Sequence, residues 1–122
     1  MPELVTAPTR IPVPGGKVID EFVGRVTTGT ADVSVARMVA PGGWEEPAQT
    51  PEFDEVTLVL RGVVRVEHDG GVLDVGAGQV VLTRAGERVR YTTPEPDGAE
   101  YVAVCVPAFG PDLAHRDPEG VA

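Results

Sequence analysis

The sequence has one cysteine, Cys105, two histidines, His68 and His115, and few basic or aromatic residues. A lone cysteine closes no internal disulfide, which agrees with a reducing compartment. Nineteen acidic residues against ten basic ones give a formal charge of −9. Such a surface repels phosphate backbones and anionic headgroups. The arginines are scattered and form no stripe interleaved with aromatics, so nucleic-acid binding is excluded from the expected functions. No run approaches the roughly 18 unbroken apolar residues of a membrane-spanning helix, and no membrane partner is expected. The opening MPELVTAPTR lacks an apolar signal core, so the expected location is the cytoplasm. Helical periodicity is missing as well.

What is present is valine, punctuated. Fifteen glycines and twelve prolines divide 122 residues into short pieces that read as strands. Candidates are Val33–Val39, Val56–Leu60, Val63–Glu67, Val72–Val75, Val80–Thr83, Val89–Thr92 and Tyr101–Val106. Asp69-Gly70-Gly71 between two valine-rich runs signals a hairpin. Seven or more short strands at this spacing predict an all-β sandwich or barrel in one domain. The expected organisation is an extended arm over 1–16, which crosses a partner subunit or lies loose, a barrel over 17–109, and a peripheral tail over 110–122.

Two stretches fit one family frame. Gly43–Gly62, GWEEPAQTPEFDEVTLVLRG, resembles the first cupin motif, in which a glycine, two histidines, a glutamate and a second glycine recur at fixed spacing. Gly43, Glu55 and Gly62 fit without a gap, whereas the histidine positions hold Gln49 and Pro51. Gly78–Thr93, GQVVLTRAGERVRYTT, resembles the second motif: Gly78 and Gly86 fit, Arg84 stands for its proline, Val89 for its histidine and Thr93 for its asparagine. About fifteen residues separate the motifs, and the resemblance spans roughly residues 30–107. It implies a jelly-roll-like antiparallel barrel. Phe53-Asp54-Glu55 followed by Val59-Leu60-Arg61-Gly62 looks most like the ethanolamine-utilisation subgroup, which also departs from the histidine pattern.

The resemblance implies a metal site of three histidines and a glutamate, and here only Glu55 survives at those positions. Proline and valine coordinate nothing, and an amide oxygen is a weak ligand. No cofactor is therefore expected. The acidic cluster of Glu45, Glu46, Glu52, Asp54 and Glu55 leaves an oxygen-ligated divalent metal as an alternative.

Strand alternation puts Thr57 and Val59 on the face of Glu55, with Val56, Leu58 and Leu60 opposite. A carboxylate in a valine-lined lumen is desolvated, its pKa rises, and it suits general acid–base work. The competing role is a salt bridge to an inward Arg37. Tyr91, in step with Val89, is placed to donate a proton or to be a satisfied core phenol. Gln49 and Glu52 stand at the barrel mouth as candidate ligand contacts. Trp44 stacks on a ligand or plugs the rim. Cys105 lines the lumen, with no histidine placed to activate it. His68 is expected at an exposed turn, and His115 reaches the pocket only if the tail folds back.

These residues leave three functions open: a metal-independent enzyme doing isomerase-, cyclase-, dehydratase- or lyase-type proton transfer on a small metabolite, a binding or sensor module without catalysis, and an oxygen-ligated metalloenzyme. Apolar strands with few interior charges predict a homodimer.

Overall fold

The computed structural model describes residues 1–118. Its nine strands are all antiparallel. One curled sheet runs β1 (Thr9–Ile11), β2 (Val18–Val23), β3 (Ser34–Ala40), β9 (Ala99–Val106), the first half of β5 (Asp54–His68) and β7 (Val80–Thr83). The second half of β5 joins β6 (Gly71–Gly76) on one side and β8 (Val89–Thr93) on the other, with the short β4 (Trp44–Glu45) beyond β8. The only helix among the described residues, α1, is one turn at Pro111–Ala114.

β5 holds the two sheets together, and its sequence explains how. Glu55, Thr57 and Val59 are buried while Leu58 and Leu60 are exposed; beyond the corner the buried residues are Val64 and Val66. The inward parity flips because the pairing register with β9 slips between Val59 and Arg61, a bulge that turns the strand from one sheet into the other. Gly62 sits at the corner with φ 79°, and a Cβ there would lie 2.1 Å from the Gly98 carbonyl oxygen. The expected break between Leu60 and Val63 is thus a bend within one strand.

Packing is unequal along the lumen. Trp44, Val59, Val64, Val66, Val89 and Tyr101 fill one part of the barrel as its principal core. Elsewhere the facing positions of β3 and β9 are small, with Ser34 and Ala36 opposite Cys105 and Ala103. Small side chains on both strands leave space between the sheets. A second cluster closes off this region, with Phe53 edge-on to Phe109 at 5.8 Å and both near Ala114 of α1.

The termini are tied in. β1 pairs with β2 and Arg10 bonds Asp20 at 2.8 Å, so the end of the predicted arm is part of the sheet. The tail, expected to be peripheral, returns along the segment before β5: Thr50 N–H donates to the His115 carbonyl, Glu52 N–H to Leu113, and Asp117 N–H to Ala48. The final four residues of the predicted 110–122 tail lie outside the described residues. No helix among those described is long and apolar enough to cross a membrane.

Candidate functional site

The space between the sheets is a cavity of about 210 Å³. β5 delivers Glu55 to its wall, directly opposite Cys105 on β9 and Thr83 on β7. β8 delivers Tyr91, whose hydroxyl shares a 3.0 Å hydrogen bond with the Thr83 hydroxyl. Gln49 is held by a bridge to Val89 on one side and to Arg116 on the other. Glu46, just past β4, and Lys17, just before β2, complete a ring of charge on the lining, and Arg116 stands at the mouth.

Of the residues singled out from the sequence, Glu55, Tyr91, Gln49 and Cys105 therefore meet at one cavity. Three others do not line it. Arg37 was a candidate partner for Glu55, but β3 turns it to the outer face, where its Nε bonds Glu100 at 2.7 Å. Glu52 is exposed and contacts His115 Nε2 at 2.5 Å. Trp44 is a buried core residue, and its ring carries the Lys17 ammonium at 4.1 Å rather than facing the cavity. The tail does fold back, but the residues it brings to the pocket are Pro111 and Arg116; His115 does not line it.

Lys17 and Arg116 are not among the residues singled out from the sequence, and Glu46 stands there only as one member of the acidic cluster. Lys17 carried one readable signal: it is the only lysine in a chain whose nine other basic residues are all arginine. Glu46 was indistinguishable from its acidic neighbours, and Arg116 depends on a chain reversal that no local pattern announces.

The electrostatics follow from burial. Glu55 is pushed up to about 7, first by desolvation and then by the neighbouring Glu46 carboxylate, against the pull of Lys17 and Arg116. Burial raises Glu46 as well, again opposed by Lys17 and Arg116. Lys17 is lowered, desolvation outweighing the two carboxylates. Tyr91 and Cys105 both lie above their ordinary values through burial and the Glu55 charge, so neither ionises readily. Among the described residues, none of Lys17, Glu46, Glu55 and Arg116 has an ion-pair partner within 4.0 Å. The buried Gln49 Oε1 and Tyr101 hydroxyl also lack a hydrogen-bond partner. Among the described residues the cavity thus holds charged groups without ion-pair partners and two polar atoms without a hydrogen-bond partner.

The frame of a histidine metal site survives in the backbone, since Gln49 and Val89 are bridged neighbours and Glu55 faces the same space. The side chains do not fit a metal: an amide, a pyrrolidine ring, a carboxylate and an isopropyl group occupy the four positions. Any dication there would also face Lys17 and Arg116. Among the described residues, no three of His, Cys, Asp and Glu converge as a metal cage.

A family profile described as "Cupin domain" matches residues 36–105. A protein of Myxococcus xanthus (strain DK1622) named endoribonuclease YbeY is 50% identical over 107 residues, which is 88% of this chain and 36% of that protein. The chain thus spans little more than a third of the length of the curated relative it matches. Among solved structures, an oxalate decarboxylase of Bacillus subtilis superposes with a TM-score of 0.77 at 17% identity, covering 92% of this chain and 31% of the other. A putative ethanolamine utilization protein Q of Salmonella typhimurium gives 0.60 at 22% identity, covering 76% and 71%. At these identities the structures show the shared barrel.

Proposed function

The chain belongs to the cupin family, and on that footing we propose that its cavity carries out proton transfer on a small organic molecule without a metal. The observation that supports this is Glu55: a carboxyl buried on a cavity that Glu46 also lines, and pushed up to about 7. Two carboxylates in one desolvated space do not both ionise cheaply, so Glu55 holds its proton up to near neutrality. A group half-protonated at working pH serves equally as acid and base, the condition under which proton transfer is most efficient. Isomerisation, dehydration, cyclisation and lyase reactions all need such a group. The Tyr91 phenol, bonded to Thr83, orients a substrate oxygen by hydrogen bonding rather than by ionising.

The test is deuterium exchange. The chain is incubated in D₂O with a panel of small hydroxy, oxo and amino acids and deuterium incorporation is read by NMR. Glu55→Gln should slow any exchange by about 10²- to 10⁴-fold; unchanged exchange sinks the mechanism.

Binding without turnover is the second reading. It draws on the unpartnered Gln49 Oε1 and Tyr101 hydroxyl, which a bound metabolite would satisfy whether or not it reacted. The endoribonuclease in the Myxococcus protein's name belongs to a much longer chain. A surface of net charge −9 argues against an RNA backbone as the ligand of this part. Pairing of two copies falls to the outer face of β5 and β7, where Leu58, Leu60, Val80 and Leu82 stay exposed. This uncharged patch is where two strongly acidic chains can approach without repulsion.

A further inference from the structure

We propose that Lys17 is a covalent residue of this cavity, forming an imine with a small carbonyl compound of the oxo-acid class. The inference rests on the proton-transfer reading of the same site and names its substrate class. Four observations support it. Lys17 is the only lysine of the chain and it lies on the cavity wall. Its Nζ lies over Trp44 at 4.1 Å and 5.5 Å from the Tyr101 ring, contacts that fix the position of the side-chain end, and no carboxylate is in ion-pair contact with it among the described residues. Glu46 and Glu55 share the cavity with it, and both influence its charge. Arg116, also unpaired among the described residues, stands at the mouth, where an incoming carboxylate would meet it.

Arginine remains charged under these conditions, whereas a desolvated lysine near another cation gives up its proton and becomes a nucleophile. Burial lowers Lys17 in that sense. The reaction balances with the groups present. The ε-amine passes a proton to a neighbouring carboxylate and adds its lone pair to the carbonyl carbon. The C=O π pair moves to oxygen, which takes a proton back. A second proton passes from the nitrogen to that oxygen, and its departure as water leaves a C=N bond protonated on nitrogen. One carbonyl compound enters, one water leaves, and nothing is oxidised or reduced. The iminium then withdraws electrons from the adjacent carbon, and the proton on that carbon falls within the reach of a base such as Glu55, itself pushed up to about 7. A cavity of about 210 Å³ holds the equivalent of roughly seven waters, the scale of a short-chain oxo acid.

The single lysine makes the experiment clean. The full chain is incubated with pyruvate and sodium cyanoborohydride, which reduces an imine to a stable amine, and the product is mapped by peptide mass. The expected result is one pyruvate-derived addition on the peptide containing Lys17. It should form faster than on Lys17 of the urea-unfolded chain, because burial lowers the ε-amine only in the folded state. Lys17→Arg keeps the charge and should remain folded by circular dichroism while losing the internal adduct. Addition at Met1 alone, or at Lys17 no faster than in the unfolded chain, overturns the proposal. The deuterium-exchange assay run alongside separates the two readings. Glu55-dependent exchange with an untrapped Lys17 refutes the imine and leaves proton transfer standing. A trapped Lys17 without Glu55-dependent exchange supports the imine and refutes proton transfer by Glu55.

Discussion

Glu55→Gln should make the protein more stable at alkaline pH, and by a calculable amount. The folded chain raises Glu55 from 4.5 to about 7, so the folded state holds this proton more tightly than the unfolded state. Stability changes with pH in proportion to the protons bound by the unfolded state minus those bound by the folded one. Below pH 4.5 both states are protonated and the group costs nothing. Between 4.5 and 7 the unfolded chain has released its proton while the folded chain retains it, so stability falls as pH rises. Above 7 the loss is complete, at about 3 kcal/mol from the conversion of 1.36 kcal/mol per pKa unit. Glutamine has no proton to lose and escapes this slope. Urea denaturation of both proteins at pH 4, 6 and 8 should therefore show a difference that grows in favour of the variant by about 2–3 kcal/mol across the series. In a chain of this size that is on the order of a 10 °C gain in Tm at pH 8. Any packing cost of the amide is independent of pH and cancels in the comparison. A difference that stays flat from pH 4 to 8 would refute the claim that Glu55 is desolvated beside Glu46.

Lys17→Met removes a charge that pulls Glu55 down, so the midpoint of Glu55 titration, followed by carbon NMR of its carboxyl, should move upward from about 7; no movement would separate the two groups. Gly62→Ala places a Cβ against the Gly98 carbonyl at a left-handed φ. It should cost about 4 kcal/mol or more, read as loss of soluble folded protein. Tyr91→Phe removes the 3.0 Å bond to Thr83 and should cost about 1 kcal/mol in urea melts. Leu58→Glu with Leu82→Glu should leave the fold intact and convert a dimer to a monomer in sedimentation; a wild-type monomer would refute pairing through that face.

The barrel was legible because its strands are written at period two in valine, and their alternation survives in the burial of Val89, Tyr91, Tyr101, Ala103 and Cys105. β2 escaped notice because its inward and flanking positions include Asp20 and Glu21, which read as a surface segment. Both are buried because they are satisfied locally: Asp20 by Arg10, and Glu21 Oε1 by the backbone N–H groups of Val26 and Thr27 in the turn beyond the strand. The four-residue helix is too short for any periodicity. At the site, alternation was enough to aim Glu55, Tyr91 and Cys105 inward, since that depends on one strand at a time. The counter-charges were not legible, because they come from chain ends: Lys17 ahead of β2 and Arg116 from a tail that pairs with Gln49. The alternative Arg37–Glu55 pair is ruled out by parity: Ser34, Ala36 and Ala40 face inward, so Arg37 does not.

The placement of those two cations bears on why the barrel keeps a carboxylate after losing its histidines. A lone buried carboxylate is expensive unless it is paired, neutralised or coordinated. Gln49, Pro51 and Val89 stand at the other ligand positions, so no imidazole is offered there. Lys17 and Arg116 lower the pKa of Glu55 without contacting it, while Glu46 and burial raise it. The balance leaves Glu55 between its two protonation states rather than committed to either. A direct ion pair would have held it ionised and inert, and an empty apolar lumen would have held it neutral. A cavity with charges set apart, and unsatisfied polar atoms on Gln49 and Tyr101, pays for readiness with stability, a trade expected of a working site rather than of a packed core.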